Sequence, residues 1–457
     1  MVTEQDHDVV VVGAGSGGYA TALRAAELGL SVALIEADKV GGTCLHRGCI
    51  PTKALLHAAE VADAVRDSDR FGISASLTGV DTAKLNAYQG ATVKRLYSGL
   101  QGLISGRNIT LISGWGRLVG PQTVQVGDQL VRGRHLVLAT GSTARSLPGI
   151  SIGGRILSSD QALAMDWIPA SAAIIGGGVI GVEFASIWRS FGSNVSVIEA
   201  AQHLVPQEDL AVSKALQRAF RKRDIDVHLG RTLTELTQDE GGVHLRMDNG
   251  AVMDAEVALI AVGRGPATSD LGLTEQGLTL DRGFVVVDER QHTGVGNIWA
   301  VGDITAGLAL AHRGFAHGIA VAERIAGMNP EPVVDTAIPR VTYCDPEIAS
   351  VGLTETAARE LHGEVETLEY NLGGNGKSQI LGTNGFVKLV RVANGPIVGV
   401  HMLGARMGEQ IGEGQLIVNW EAHPCDLASL IHAHPTQNEA LGEAALALAG
   451  KPLHAHA

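Results

Sequence analysis

Cysteine is scarce: the 457 residues contain four, Cys44, Cys49, Cys344 and Cys425. That excludes a disulfide-stapled fold, and a chain this long can bury cores large enough to need no staple. Aromatic residues make up 4%, too few for a platform on which single-stranded nucleic acid stacks. Positive charge is also in deficit. The 35 Lys and Arg stand against 48 Asp and Glu, a net charge of −13, and such a surface repels a phosphate backbone. No apolar run reaches the ~18 residues that a membrane span requires. Residues 1–8 carry no Lys or Arg, so the basic region of a signal peptide is missing. The expectation is a cytoplasmic protein whose partners include neither nucleic acid nor membrane.

Apolar residues make up 45% and charged residues 18%, the balance of a globular chain. At roughly 150 residues per domain the length suggests about three domains. Glycine is in excess, 59 residues or about 13% against the usual ~7%, which implies many turns and close backbone approaches.

Some of that glycine is patterned. Residues 8–12 form an apolar strand, followed by Gly13-Ala-Gly15-Ser-Gly-Gly18, a helical stretch to Leu28, Gly29, and a second strand ending at Glu36. This is the strand–turn–helix–strand unit that binds a dinucleotide. It recurs: Gly13, Gly15, Gly18, Gly29 and Glu36 return as Gly176, Gly178, Gly181, Gly192 and Glu199, all at one offset (176 − 13 = 163). In each copy the first glycine allows the tight turn, the second lets a pyrophosphate approach, and the third lets the helix pack on its strand. The phosphates sit on the helix N-terminus. Glu36 and Glu199 end their strands where a carboxylate accepts from a ribose. A 2′-phosphate about 4 Å from Glu199 would be repelled by roughly 4 kcal/mol per charge pair at an effective dielectric of 20. No arginine stands in residues 200–204 to compensate, so the second site favours NAD over NADP. The expected fold is α/β, two Rossmann-like dinucleotide-binding domains followed beyond about Thr336 by an α+β domain. Its strands are expected at 386–392 and 397–403, and its helices at 409–421 and 437–449.

Cys44 and Cys49 lie in Gly41-Gly-Thr-Cys-Leu-His-Arg-Gly-Cys-Ile-Pro51-Thr-Lys53. Closing so short a loop stabilises by only about 2 kcal/mol, and the remaining cysteines are single and remote, which disfavours a zinc site. A redox pair fits better. Pro51 suits the start of a helix running to about Val65, and Cys49 beside that N-terminus has its thiolate favoured by the dipole. The same dipole disfavours Lys53, which reads either as a solvated lysine or as one held by a partner.

Late in the chain stands His432-Ala-His434-Pro-Thr436-Gln-Asn-Glu439. Thr436 and Glu439 have capping-box spacing. Equally, Glu439 could orient His434 as a base. Both readings stand. An H-x-H metal pair has no evident third ligand, so no metal is expected. Cys344 and Cys425 read as packing residues, and residues 453–457 as a frayed end.

Two nucleotide folds, a C-x-x-x-x-C pair and a late H-x-x-x-x-E together resemble the flavin-dependent (class I pyridine nucleotide) disulfide oxidoreductases, over essentially the whole chain. The Gly41–Lys53 segment and His432–Glu439 match the subgroup that oxidises dihydrolipoyl groups. The resemblance implies FAD in residues 1–145, NAD in 146–265, a central domain completing the FAD site in 266–336, and an interface domain in 337–457. Asp303 would hold the ribityl chain, with Thr140, Gly141, Gly263 and Ala311 also lining the cofactors. Lys53 would pair with Glu183. A homodimer is implied, with His434 delivered to the partner subunit's site. The implied substrate is a small-molecule dithiol or disulfide, and a lipoyl-bearing acyltransferase is the implied partner. Other reductases of the family, including glutathione reductase-like ones, and a docking or redox-sensing role are the alternatives. The family more often has Asn-Val where His46 and Arg47 stand, and acidic residues where Phe315-Ala-His317 stands.

Overall fold

Val9 to Val12 are all buried, as successive apolar residues are when a strand has neighbours on both edges and cover on both faces. They close the strand Glu4–Val12, which pairs in parallel with Val32–Glu36 on one side and Gln129–Leu138 on the other. Val12 lies opposite both Ile35 and Leu138, so three strand ends finish level. Thr110–Ser113 extends the sheet at one edge, and Thr123–Val126 and Gly116–Gly120 continue it antiparallel at the other. Ile298–Ala300 returns late in the chain to pair in parallel with Leu136–Leu138. The computed structural model describes residues 4–455. It divides into two compact units, and this sheet belongs to the first, comprising Met1–Leu55, Asp81–Arg145 and Gly263–Asp335.

Two helices of this unit, Ser16–Glu27 and Ala311–Ile325, cross at glycines. A Cβ on Gly318 would stand 2.4 Å from the Gly17 carbonyl oxygen. Only hydrogen at that position permits the approach, which sets the first helix behind the turn at Gly13.

The second unit comprises Leu56–Val80, Ser146–Val262 and Thr336–Ala457. Its parallel sheet runs Ile225–Leu229, Asn194–Glu199, Ser171–Ile175, Val257–Ile260, Ile156–Leu157 in spatial order. A three-stranded antiparallel ribbon packs Val243, Leu245 and Met247 against Ile175 and Ala258. The same unit holds a five-stranded antiparallel sheet, in order Arg340–Thr342, Glu347–Gly352, Ile397–Gly404, Phe386–Val392 and Val365–Asn371. Helices Met407–Asn419 and Glu439–Leu448 share its core through Ile411, Ile417, Leu441 and Ala444.

The α/β class and the α+β ending are as the sequence implied. The last helix starts at Glu439 rather than Gln437, because Asn375 and Ser378 hold Thr436 and Gln437 by hydrogen bonds. Among the described residues no helix is long and apolar enough to cross a membrane.

Candidate active site

The sequence repeat is a repeat of hydrogen bonds. Gly13 and Gly176 have φ of +97° and +109°, and a Cβ on either would lie 2.4 Å from a carbonyl oxygen, of Ala139 or Ala261. Glu36 accepts the Ala14 N–H at 2.7 Å and the Asp38 N–H at 2.9 Å. Glu199 accepts the Gly177 N–H and the Ala201 N–H, both at 2.6 Å. Each carboxylate thereby stands beside its own glycine turn. Gly15 and Gly178 have open space where a side chain would project, as a pyrophosphate at the backbone requires. Both turns fit a dinucleotide.

The cysteine pair straddles a helix break. Gly42–Arg47 is a short helix, Gly48 interrupts it, and Cys49 opens the helix Cys49–Arg66. Cys49 is thus at an N-terminus, where the dipole stabilises negative charge. Both cysteines are thiols here. The hydrogen bond to Cys49, reinforced by burial, pushes the Cys44 thiol well above its ordinary value, while the charge of Lys53 pulls it down. Two cysteines within hydrogen-bonding reach of each other at a helix start are placed to close a disulfide and to exchange with another.

Around the pair stand residues that sequence reasoning missed. Burial and both cysteines push Tyr19 up to about 12, so it remains a neutral phenol facing them. Arg264 donates from Nε to Ser142 Oγ at 2.8 Å and from Nη2 to the Ser142 carbonyl at 2.6 Å, and reaches Thr43 Oγ1 at 3.4 Å. Ser142 Oγ in turn donates to Asp303 Oδ2 at 2.7 Å. This chain links the redox loop to Asp303. Thr140 Oγ1 donates to the Ala267 carbonyl, and Gly141 and Gly263 both take left-handed φ values. Ala311 opens its helix. His46 Nε2 bonds the Val40 carbonyl at 2.9 Å and stands edge-on to Tyr97, and Arg47 pairs with Asp38. These two departures therefore stitch the short helix to the loop after Glu36.

In the second unit, His434 Nδ1 bonds Glu439 Oε1 at 2.8 Å. Glu439 Oε2 accepts the Thr436 N–H at 2.7 Å, and Thr436 Oγ1 accepts the Glu439 N–H at 3.3 Å. One carboxylate thus serves both the dyad and the turn before the last helix, whose N-cap residue, Asn438, makes no side-chain cap bond. Burial works to raise the Glu439 pKa, yet the Thr436 N–H and His434 together hold it below the ordinary value. The His434 side chain is 77% exposed, so Nε2 is free to meet a substrate. Glu183 is buried and accepts the Tyr343 N–H at 2.9 Å.

The model of the pyridine nucleotide-disulphide oxidoreductases matches residues 7–318, and that of their dimerisation domain matches residues 338–445. The chain belongs to this family. It is 39% identical to the dihydrolipoyl dehydrogenase of Bacillus subtilis, over 99% of this chain and 100% of that one. Against that of Thermus scotoductus it is 36% identical, over 98% of each. The flavoprotein disulfide reductase RclA of Escherichia coli superimposes with a TM-score of 0.86 at 27% identity, covering 96% of this chain and 99% of that one. LpdA of Mycobacterium tuberculosis shares the fold with a TM-score of 0.90 at 24% identity, covering 98% and 100%. Members of the family are flavoenzymes that use FAD and NAD, and this one carries their dimerisation domain.

Three expectations need correction or closer description. Cys344 is buried as a packing residue, but Cys425 is exposed, because it lies on the outer face of the single turn Pro424–Leu427. The end of the chain is not frayed as far as Ala455: the His454 N–H and Nδ1 both bond Glu443, at 3.0 and 2.8 Å. Residues 456 and 457 lie outside the described residues. His317, where an acidic residue is usual, is buried, and burial with the nearby Arg313 lowers its pKa to about 4. It replaces a charged group with a neutral one. Among the described residues no group of three or more His, Cys, Asp or Glu could hold a metal ion.

Proposed function

We propose that the chain oxidises dihydrolipoyl groups to lipoyl groups and reduces NAD. The observation that carries this reading is Cys44 hydrogen-bonded to Cys49 at the start of a helix. We assign FAD to the turn at Gly13 with Glu36, and NAD to the turn at Gly176 with Glu199. Residues 266–336 complete the FAD site through Asp303 and Ala311, and residues 337–457 form the homodimer interface.

His434 of one subunit, oriented through Nδ1 by Glu439, takes a proton at Nε2 from one thiol of a substrate held at the partner subunit's cysteine pair. The substrate thiolate attacks Cys44 Sγ of the oxidised pair, an S–S bond forms, and the Cys44–Cys49 bond breaks with Cys49 leaving as a thiolate. The second substrate thiol, deprotonated in turn, attacks the mixed disulfide, closes the lipoyl ring and releases Cys44. The substrate is oxidised by two electrons and the cysteine pair is reduced by two. FAD held at the turn of Gly13 with Glu36 would supply the two-electron redox chemistry that connects the reduced cysteine pair to NAD. Lys53, in the first turns of the helix that Cys49 opens, adds positive charge that favours the Cys44 thiolate. Glu199 excludes a 2′-phosphate. A lipoyl-bearing acyltransferase of a 2-oxoacid dehydrogenase or glycine-cleavage complex is the partner, in the cytoplasm.

The test is NAD reduction by dihydrolipoamide, with the monothiol glutathione as the control. The purified chain should reduce NAD with the first and not the second. Cys44→Ser should abolish turnover while retaining flavin. A Cys44→Ser variant at full rate would overturn the relay.

A further inference from the structure

His434 is held by Glu439, but a second carboxylate holds the segment that carries both. Glu413, on the helix Met407–Asn419, accepts from His432 Nε2 at 2.9 Å through Oε1 and from Asn438 Nδ2 through Oε2. His432 lies two residues before His434 and Asn438 lies immediately before Glu439. One carboxylate thus ties down both ends of the loop. His432 is only 11% exposed and Glu413 25%. The pocket for the ring is made by an absent side chain: a Cβ on Gly442 would stand 2.5 Å from His432 Nδ1. With Nε2 bonded and Nδ1 against Gly442, His432 has no ring nitrogen left for a substrate, whereas His434 keeps one.

We propose that Glu413 is a positioning residue for the lipoyl reaction, clamping His432 and Asn438 so that His434 and Glu439 are presented in fixed register. The proposal rests on the assignment of His434 as the base. The clamp needs an acceptor at each oxygen. Glutamine at 413 offers one oxygen and one NH2, so it can accept from His432 but meets Asn438 Nδ2 with another donor. Changing Asn438 to aspartate reverses the polarity of that end and restores the bond.

The experiment compares two activities of the flavin-loaded protein. NADH oxidation by dihydrolipoyl-independent ferricyanide needs the cofactor sites but not His434. NAD reduction by dihydrolipoamide needs both. Glu413→Gln is expected to lower kcat for dihydrolipoamide roughly tenfold or more, since small misplacements of a reacting group are costly. KM should move by less than about twofold, as for an interaction made in the transition state. The ferricyanide rate is expected to stay at the wild-type value. The double variant Glu413→Gln with Asn438→Asp should regain most of the lost rate, a coupling that independent sites do not show. An unchanged dihydrolipoamide rate in Glu413→Gln, a parallel loss of both activities, or no recovery in the double variant would each overturn the clamp. His434→Gln serves as the separate control: if it retains dihydrolipoamide turnover, the assignment of the base itself fails, whatever Glu413 does.

Discussion

Glu439 gives one carboxylate oxygen to the His434 ring and the other to the Thr436 backbone N–H. The first bond occupies Nδ1 and leaves Nε2 open for the base role proposed for His434. The second holds the turn that leads into the last helix. A single side chain therefore couples the geometry of the base to the start of a helix whose Leu441 and Ala444 sit in the core.

Glu439→Gln keeps one acceptor oxygen and must forfeit one of these bonds. The expected outcome is a fall in kcat for dihydrolipoamide of about 10²-fold or more, the range for general-base contributions. Stability should fall by only about 1 kcal/mol, the usual net value of one hydrogen bond. Steady-state kinetics and thermal unfolding on the same sample check both.

The Glu413–His432 pair gives stability a pH dependence with two edges. Its bond to Glu413 raises the His432 pKa above 6.5. That contribution is complete below pH 6.5 and is lost as pH rises through the raised value. Chiefly through His432, Glu413 is held below 4.5, so its contribution is present above pH 4.5 and is lost as pH falls through the lowered value. Unfolding midpoints of wild type minus Glu413→Gln should be largest between those edges and shrink outside them. A difference constant from pH 4 to 9 would contradict the pairing.

His317 behaves oppositely. Burial lowers its folded pKa to about 4 from an ordinary 6.5. The unfolded chain binds the proton first, so stability rises with pH across that window, by at most about 3 kcal/mol at 1.36 kcal/mol per unit. His317→Phe should flatten this part of the stability curve, measured by denaturant unfolding at pH 4.5 and 7.

Glu36 and Glu199 make matched bonds in matched turns, so matched substitutions should separate the two cofactors. Glu36→Gln should reduce retained flavin, read from the visible absorbance per chain. Glu199→Gln should leave flavin in place and raise KM for NADH by roughly tenfold, the equivalent of about 1.4 kcal/mol. The reverse pattern would exchange the two assignments.

The nucleotide turns were legible because their chemistry is local: three glycines and one acid at fixed spacing specify a strand, a turn and a helix start. The cysteine pair and the His434–Glu439 dyad were legible for the same reason, being five residues apart in each case. What was hidden depends on side chains brought together by the fold. Glu413 stands 19 residues before His432, on a helix while His432 is in a loop, and no spacing rule connects them. Arg264 and Ser142, 122 residues apart, meet because two short strands pair, Arg264–Pro266 with Ser142–Ala144. Cys425 was misread because isolation in the sequence says nothing about which way a one-turn helix points its residues. His46 and Arg47 were visible as departures, but their partners, Val40 and Asp38, follow only once the short helix folds back on the loop.

Both oxygens of Glu199 are already committed to the Gly177 and Ala201 backbone. If NAD occupies this turn as proposed, the charge that would reject a 2′-phosphate and the bonds that shape the loop are one object. Deleting the acid to admit a 2′-phosphate would also release the loop meant to receive it. On that assignment a change of coenzyme preference calls for two changes together, a new cation and a new support for the loop, rather than the removal of one acid.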